Sequence, residues 1–94
     1  MTILVVHHAV RDFAAWKPAF DEHQPFRTAH GAIRHWLYRS PDDPDDLVVA
    51  IEFPSAEAAL GFLADPSLKD AMERAGVIGE PSVHLREEIE AVEY

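Results

Sequence analysis

Thr2 to Val10 sets Ile3, Val5 and Ala9 on one alternating face of a strand and Leu4, Val6 and Val10 on the other. A strand apolar on both sides needs cover on both sides. Leu47-Val48-Val49-Ala50-Ile51 has the same double-sided character, so the fold must enclose two strands between two layers. Ninety-four residues leave room for one core and no second domain. A domain of this size buries only about 60 to 65% of its unfolded surface and often relies on disulfides, metals or oligomerisation. The chain has no cysteine. That removes disulfides and thiolate metal sites, fits a reducing, cytoplasmic setting, and leaves oligomerisation as the remedy.

Turn and cap signals divide the remainder. Asp12 is placed to cap a helix over Phe13 to His30, and Gly31 to end it. Strands over Ala32 to Arg39 and Leu47 to Phe53 flank the acidic run Pro41 to Asp46, which reads as a solvated hairpin turn without the spacing of a calcium loop. Ser55 caps a second helix, Ala56 to Ala64. Asp65-Pro66 opens a third that ends at Gly76, and a last strand follows Pro81 from Ser82 to about Ile89. Strand, helix, strand, strand, helix, strand is the split βαβ order. It predicts an α+β, ferredoxin-like domain over 1–94, a four-stranded antiparallel sheet with helices on one face. The other face is left bare and apolar, and a homodimer with sheets packed face to face is the simplest cover.

On the first helix, about 100° per residue brings Phe13, Ala19, Phe20, His23, Phe26, Arg27 and His30 within roughly 80° of Trp16. Pro18 and Pro25 fall on the opposite side, where prolines can bend a helix around a sheet. A curved helix standing off a curved sheet leaves a gap, the candidate pocket.

Eight Lys and Arg against seventeen Asp and Glu give a net charge of −9, which argues against nucleic acid and anionic membrane as partners. Met1 to Val6 lacks a basic flank and is interrupted by His7 and His8, so it reads as neither signal peptide nor membrane span. The four glycines stand alone, without a phosphate loop. Chemistry therefore falls to six histidines. His23 sits among aromatics one turn from Arg27, where an apolar wall would lower its pKa and suit it to proton transfer. Its other reading, shared with His30, is a core histidine satisfied by a backbone carbonyl. His7 and His8 point to opposite faces, so one alone can line the pocket. His35 and Leu37 share one face of the second strand, Trp36 and Tyr38 the other, and His84 and Arg86 share a face of the last. No histidine pair has helical metal-ligand spacing, and no serine is placed as a nucleophile.

The runs Val10-Arg11-Asp12-Phe13-Ala14-Ala15-Trp16-Lys17-Pro18-Ala19-Phe20-Asp21-Glu22-His23, Glu52-Phe53-Pro54-Ser55-Ala56-Glu57-Ala58-Ala59 and Asp65-Pro66-Ser67-Leu68-Lys69-Asp70-Ala71-Met72 resemble the dimeric α-β barrel superfamily, in particular short bacterial cyclase-like and antibiotic-biosynthesis-monooxygenase-like proteins. The resemblance spans nearly the whole chain. It implies a dimer of ferredoxin-like domains and leaves several activities open, from cofactor-free oxygenases and cyclases to stress-responsive proteins. Haem-degrading relatives carry an iron-ligating histidine in the later helical region, and Ala56 to Ala75 has none. Cyclases of the olivetolic-acid type use a first-strand histidine, which points to His8; their second histidine has no counterpart here, and His23 or His35 would have to replace it.

The expected function is binding of a small hydrophobic, aromatic or polyketide-like molecule, without a cofactor or metal. As an enzyme the protein would perform acid–base cyclisation or oxygenation. His8 or His23 would remove a proton, Arg27 or His35 would steady the oxyanion, and Trp16, Phe20 and Trp36 would hold the ring. The competing expectation is a dimeric ligand-binding or stress-response module without catalysis.

Overall fold

The two double-sided apolar runs become the two inner strands of one sheet. A computed structural model describes residues 1–94 and places β1 (Thr2–Val10), β2 (Arg34–Arg39), β3 (Asp46–Phe53) and β4 (Val77–Glu87) in the order β2-β3-β1-β4, all neighbours antiparallel. The charged strands Arg34–Arg39 and Val77–Glu87 take the edges, where charge discourages further pairing. The β1–β3 register sets Leu4 opposite Ile51 and Val6 opposite Val49. These four are buried with Val10, Leu47 and Phe53 beneath Trp16, Ala59 and Phe62 of the helices. Full burial of each such large side chain contributes about 1.5 to 3 kcal/mol. The opposite pleat carries Ile3, Val5, Ala9, Val48 and Ala50 only half-buried, with Trp36 and Tyr38 beside them on β2. No helix is long and apolar enough to cross a membrane.

The helices are α1 (Phe13–Glu22), α2 (Gln24–Ala29), α3 (Ala56–Ala64) and α4 (Ser67–Arg74). Asp12 caps α1 through the Ala14 N–H, and Ser55 caps α3 through the Ala58 N–H. The Asp65 carboxylate accepts from both the backbone N–H and the hydroxyl of Ser67 at the start of α4. The single helix expected over Phe13 to His30 is broken at His23. Proline at 25 has no N–H for the Asp21 carbonyl and its ring crowds that carbonyl. The His23 N–H is instead shared between the Ala19 and Phe20 carbonyls, at 3.2 Å each, and the Phe26 and Arg27 N–H groups turn back to the His23 carbonyl. Pro18 is tolerated inside α1 on the exposed side.

The last strand also differs from expectation, starting at Val77 and ending at Glu87. Ala9 pairs with Ile78 and His7 with Ser82, so Gly79, Glu80 and Pro81 all stand opposite His8. Gly79 adopts φ +71°, a conformation that suits glycine, and Pro81 has no N–H to give the ladder. This bulge swings the edge away from β1 at the point where His8 faces the helices.

Candidate functional site

The gap expected under the first helix is present, but it is wider than a curved helix alone would leave. It is a cleft of about 760 Å³ between the α1–α2 arm, the sheet and α4, within the roughly 300 to 1,000 Å³ usual for small-molecule sites. Its floor is Val6, His8, Val49 and Ile51. One wall is Trp16, Phe20, His23 and Arg27, and the other is Leu68, Ala71 and Met72. Leu68, Ala71, Met72 and Ala75 form an i, i+3, i+4, i+7 stripe, yet no α4 residue is buried. The stripe packs only partly against the core and keeps the rest of its apolar surface toward the cleft, where a ligand can cover it.

An aromatic ladder carries the first wall. His8 meets the edge of Trp16 at 5.8 Å between ring centroids, Trp16 stacks on Phe20 at 4.7 Å, and the Arg27 guanidinium lies 3.7 Å above the centroid of Phe20. Trp16 and Arg27 are each 3% exposed and His8 is 7% exposed. Two buried side-chain polar atoms in the whole molecule have no hydrogen-bond partner within the protein: His8 Nδ1 and Arg27 Nη2. Both belong to residues lining this cleft. Burial pushes the His8 imidazole below its ordinary value by penalising its charged form, against a weaker opposite pull from its own backbone carbonyl, so at neutral pH it is an uncharged base. Burial likewise lowers Arg27, whose guanidinium remains charged near neutrality.

His23 lines the cleft at the break between α1 and α2, stacked on Phe26 at 4.5 Å. Its pKa is lowered by burial, then by the charges of Arg27 and Arg74, against a weaker opposite pull from Asp65. His35 is on the helix-side pleat of β2 but exposed and outside the cleft lining, its ring edge-on to Phe20 at 5.0 Å. Its pKa is lowered by burial and by Arg27 and Lys17. Trp36 lies on the opposite pleat, on the open face of the sheet, and forms no part of the cleft; alternation makes it impossible for His35 and Trp36 to share one wall. His7 also faces the open side and pairs with Asp46 at 2.6 Å. His30 is tied to Asp65 at 3.0 Å rather than to a backbone carbonyl.

Sequence reasoning missed the α4 wall and the rim residues Glu80 and Pro81. The stripe from Leu68 to Ala75 was the available signal for the wall. The bulge had a weaker one in Gly79 and Pro81, which interrupt a strand pattern.

No family model matches the chain, and no curated protein matches it. Solved structures do. SnoaB, a cofactor-independent oxygenase from Streptomyces nogalater, superposes with a TM-score of 0.77 at 20% identity, over 97% of this chain and 95% of that one. An antibiotic biosynthesis monooxygenase matches with a TM-score of 0.71 at 17% identity, over 96% of this chain and 100% of that one. Rv0793 from Mycobacterium tuberculosis matches with a TM-score of 0.70 at 16% identity, over 98% of both. The protein thus shares the α+β, ferredoxin-like fold of these antibiotic-biosynthesis-monooxygenase structures, a four-stranded antiparallel sheet with helices on one face.

Proposed function

We propose that the protein is a homodimeric enzyme of the cofactor-independent oxygenase kind, acting on an electron-rich aromatic or polyketide-like compound in the cleft beneath α1. The observation that carries this reading is the uncharged His8, whose ring makes no side-chain hydrogen bond and lies against Trp16 in the floor of an apolar, aromatic-walled cavity. A buried polar atom without a good hydrogen bond costs about 1 to 3 kcal/mol. The likeness to SnoaB supports the reaction class, and the chemistry follows from His8. Nδ1 is sealed off, so the other ring nitrogen, Nε2, takes a proton from an activated ring CH₂ held along Trp16 and Phe20, a step for which a positioned base contributes about 10² to 10⁴-fold. The resulting carbanion gives its electrons to O₂. One oxygen atom ends in a new C=O and the other leaves as water, so the ligand itself is the reductant. His23, at the cleft mouth, is the second proton carrier, and His35 positions Phe20 from outside.

The test is to incubate the protein with polycyclic phenols and their reduced, CH₂-bearing forms while following oxygen uptake and product mass. The expected product gains one oxygen and loses two hydrogens per O₂ consumed, and His8→Leu abolishes the uptake. A cyclised product formed equally well without oxygen would replace this reading with the cyclase one. Tight binding without any turnover would replace it with a non-catalytic binding module.

A further inference from the structure

Arg27 is the one cation among the buried residues, and it has no carboxylate within salt-bridge distance. The omission is informative in a chain with seventeen acidic residues. Elsewhere Lys17 pairs with Asp21, and the exposed Arg34 pairs with Glu52. Nη1 of Arg27 donates to the Phe20 carbonyl at 2.8 Å, steadying the end of α1 near the break at His23, and the guanidinium plane rests on the Phe20 ring. Those two contacts fix the group in place and leave Nη2 buried without a partner, on a residue that lines the cleft. An unpaired, desolvated and immobilised guanidinium is a preorganised receptor for an oxyanion.

We propose that Arg27 binds the carboxylate of a ligand that enters the cleft already ionised, so that the substrate class is a mono-anionic aromatic or polyketide-like acid. This rests on the reading of the cleft as a small-molecule site. Nη1 is taken by the Phe20 carbonyl, which leaves Nε and Nη2 without protein partners and suits a single monoanionic carboxylate; a phosphate dianion would ask for more donors and would meet more of the repulsion of a net charge of −9. The apolar α4 stripe and the Trp16–Phe20 ladder take the ring system.

Calorimetric titration of the wild-type protein with 2-naphthoate, 2-naphthamide and 2-naphthyl phosphate tests the class directly. The carboxylate is expected to bind at least tenfold more tightly than the neutral amide and more tightly than the phosphate. Arg27→Gln is expected to level carboxylate and amide, and Arg27→Lys to retain part of the preference, because charge survives without the planar fork. Equal binding of carboxylate and amide by the wild type overturns the proposal while leaving the aromatic cleft intact. So does tighter binding of the phosphate, or a preference that persists in folded Arg27→Gln. Should Arg27→Gln not fold, the wild-type ratio and Arg27→Lys decide. Failure of all three probes to bind overturns the small-molecule reading of the cleft and this proposal with it.

Discussion

Replacing His8 by leucine removes the imidazole nitrogen that no protein atom satisfies while keeping a side chain of similar bulk against Trp16. Relief of the unpaired polar atom, on a scale of about 1 to 3 kcal/mol, offsets the change of shape, so the thermal midpoint should hold or rise. Turnover should fall by about 10²-fold or more. A base is active uncharged, and burial lowers the pKa of His8, so the acid limb of kcat/KM should lie below the ordinary histidine value of 6.5 and level off above it. Stability and turnover falling together in His8→Leu, or a limb above 6.5, would mark His8 as structural. Much of this was legible in sequence. Helical spacing grouped Trp16, Phe20, His23 and Arg27, and strand alternation separated His7 from His8 and His35 from Trp36. The same alternation puts Trp36 on the face opposite His35 and so outside the pocket. The missing partner of His8 was not legible at all, because it depends on Trp16 from one helix and on the bulge at Gly79–Pro81 from a distant strand.

At the scale of elements, the two prolines of the first arm differ in kind. Pro25 stands in the first turn of α2, where the missing N–H is no loss, whereas Pro18 is inside α1 and denies a hydrogen bond to the Ala14 carbonyl. Interior proline costs about 3 kcal/mol, of which about 0.4 to 1 is returned through a stiffer unfolded chain, and an exposed Ala14 carbonyl can bond water instead. Pro18→Ala should therefore stabilise by about 1 to 2 kcal/mol, read as a higher denaturant midpoint at unchanged slope, while Pro25→Ala should do little or destabilise. A Pro18→Ala midpoint no higher than wild type would show that this proline fits the curvature of α1 without strain. Element order and caps at Asp12 and Ser55 were readable from local residues. The break at His23 was not, because the sequence placed Pro25 on the solvent face, where bending and breaking look alike.

The molecule as a whole has more surface than its mass calls for. It presents 6246 Å² to solvent, against roughly 5,400 Å² for a monomeric protein of this mass by the usual scaling. The excess is about 800 Å², close to one partner's share of a standard interface of roughly 1,600 Å². The tail beyond Glu87 and the open cleft contribute to it, but the half-buried Ile3, Val5, Ala9, Val48 and Ala50 form an apolar face, interrupted by the His7–Asp46 pair, on the side of the sheet away from the helices. Charge does not oppose pairing there, since the nearest acids are engaged: Asp46 by His7 and Glu52 by Arg34. A second copy meeting this face about a two-fold axis would bury like against like and give both inner strands the cover that their sequences require. Light scattering at micromolar concentration should thus return about twice the 10.5 kDa chain mass. Val5 sits mid-strand in β1, paired with Ala50 and His84, and its side chain makes no wall of the cleft. Val5→Glu should therefore halve the mass while leaving ligand affinity in the cleft within a few-fold of wild type. A wild-type protein that stays monomeric, or a Val5→Glu protein as dimeric as its parent, would move the interface to another face and leave the apolar pleat without a partner.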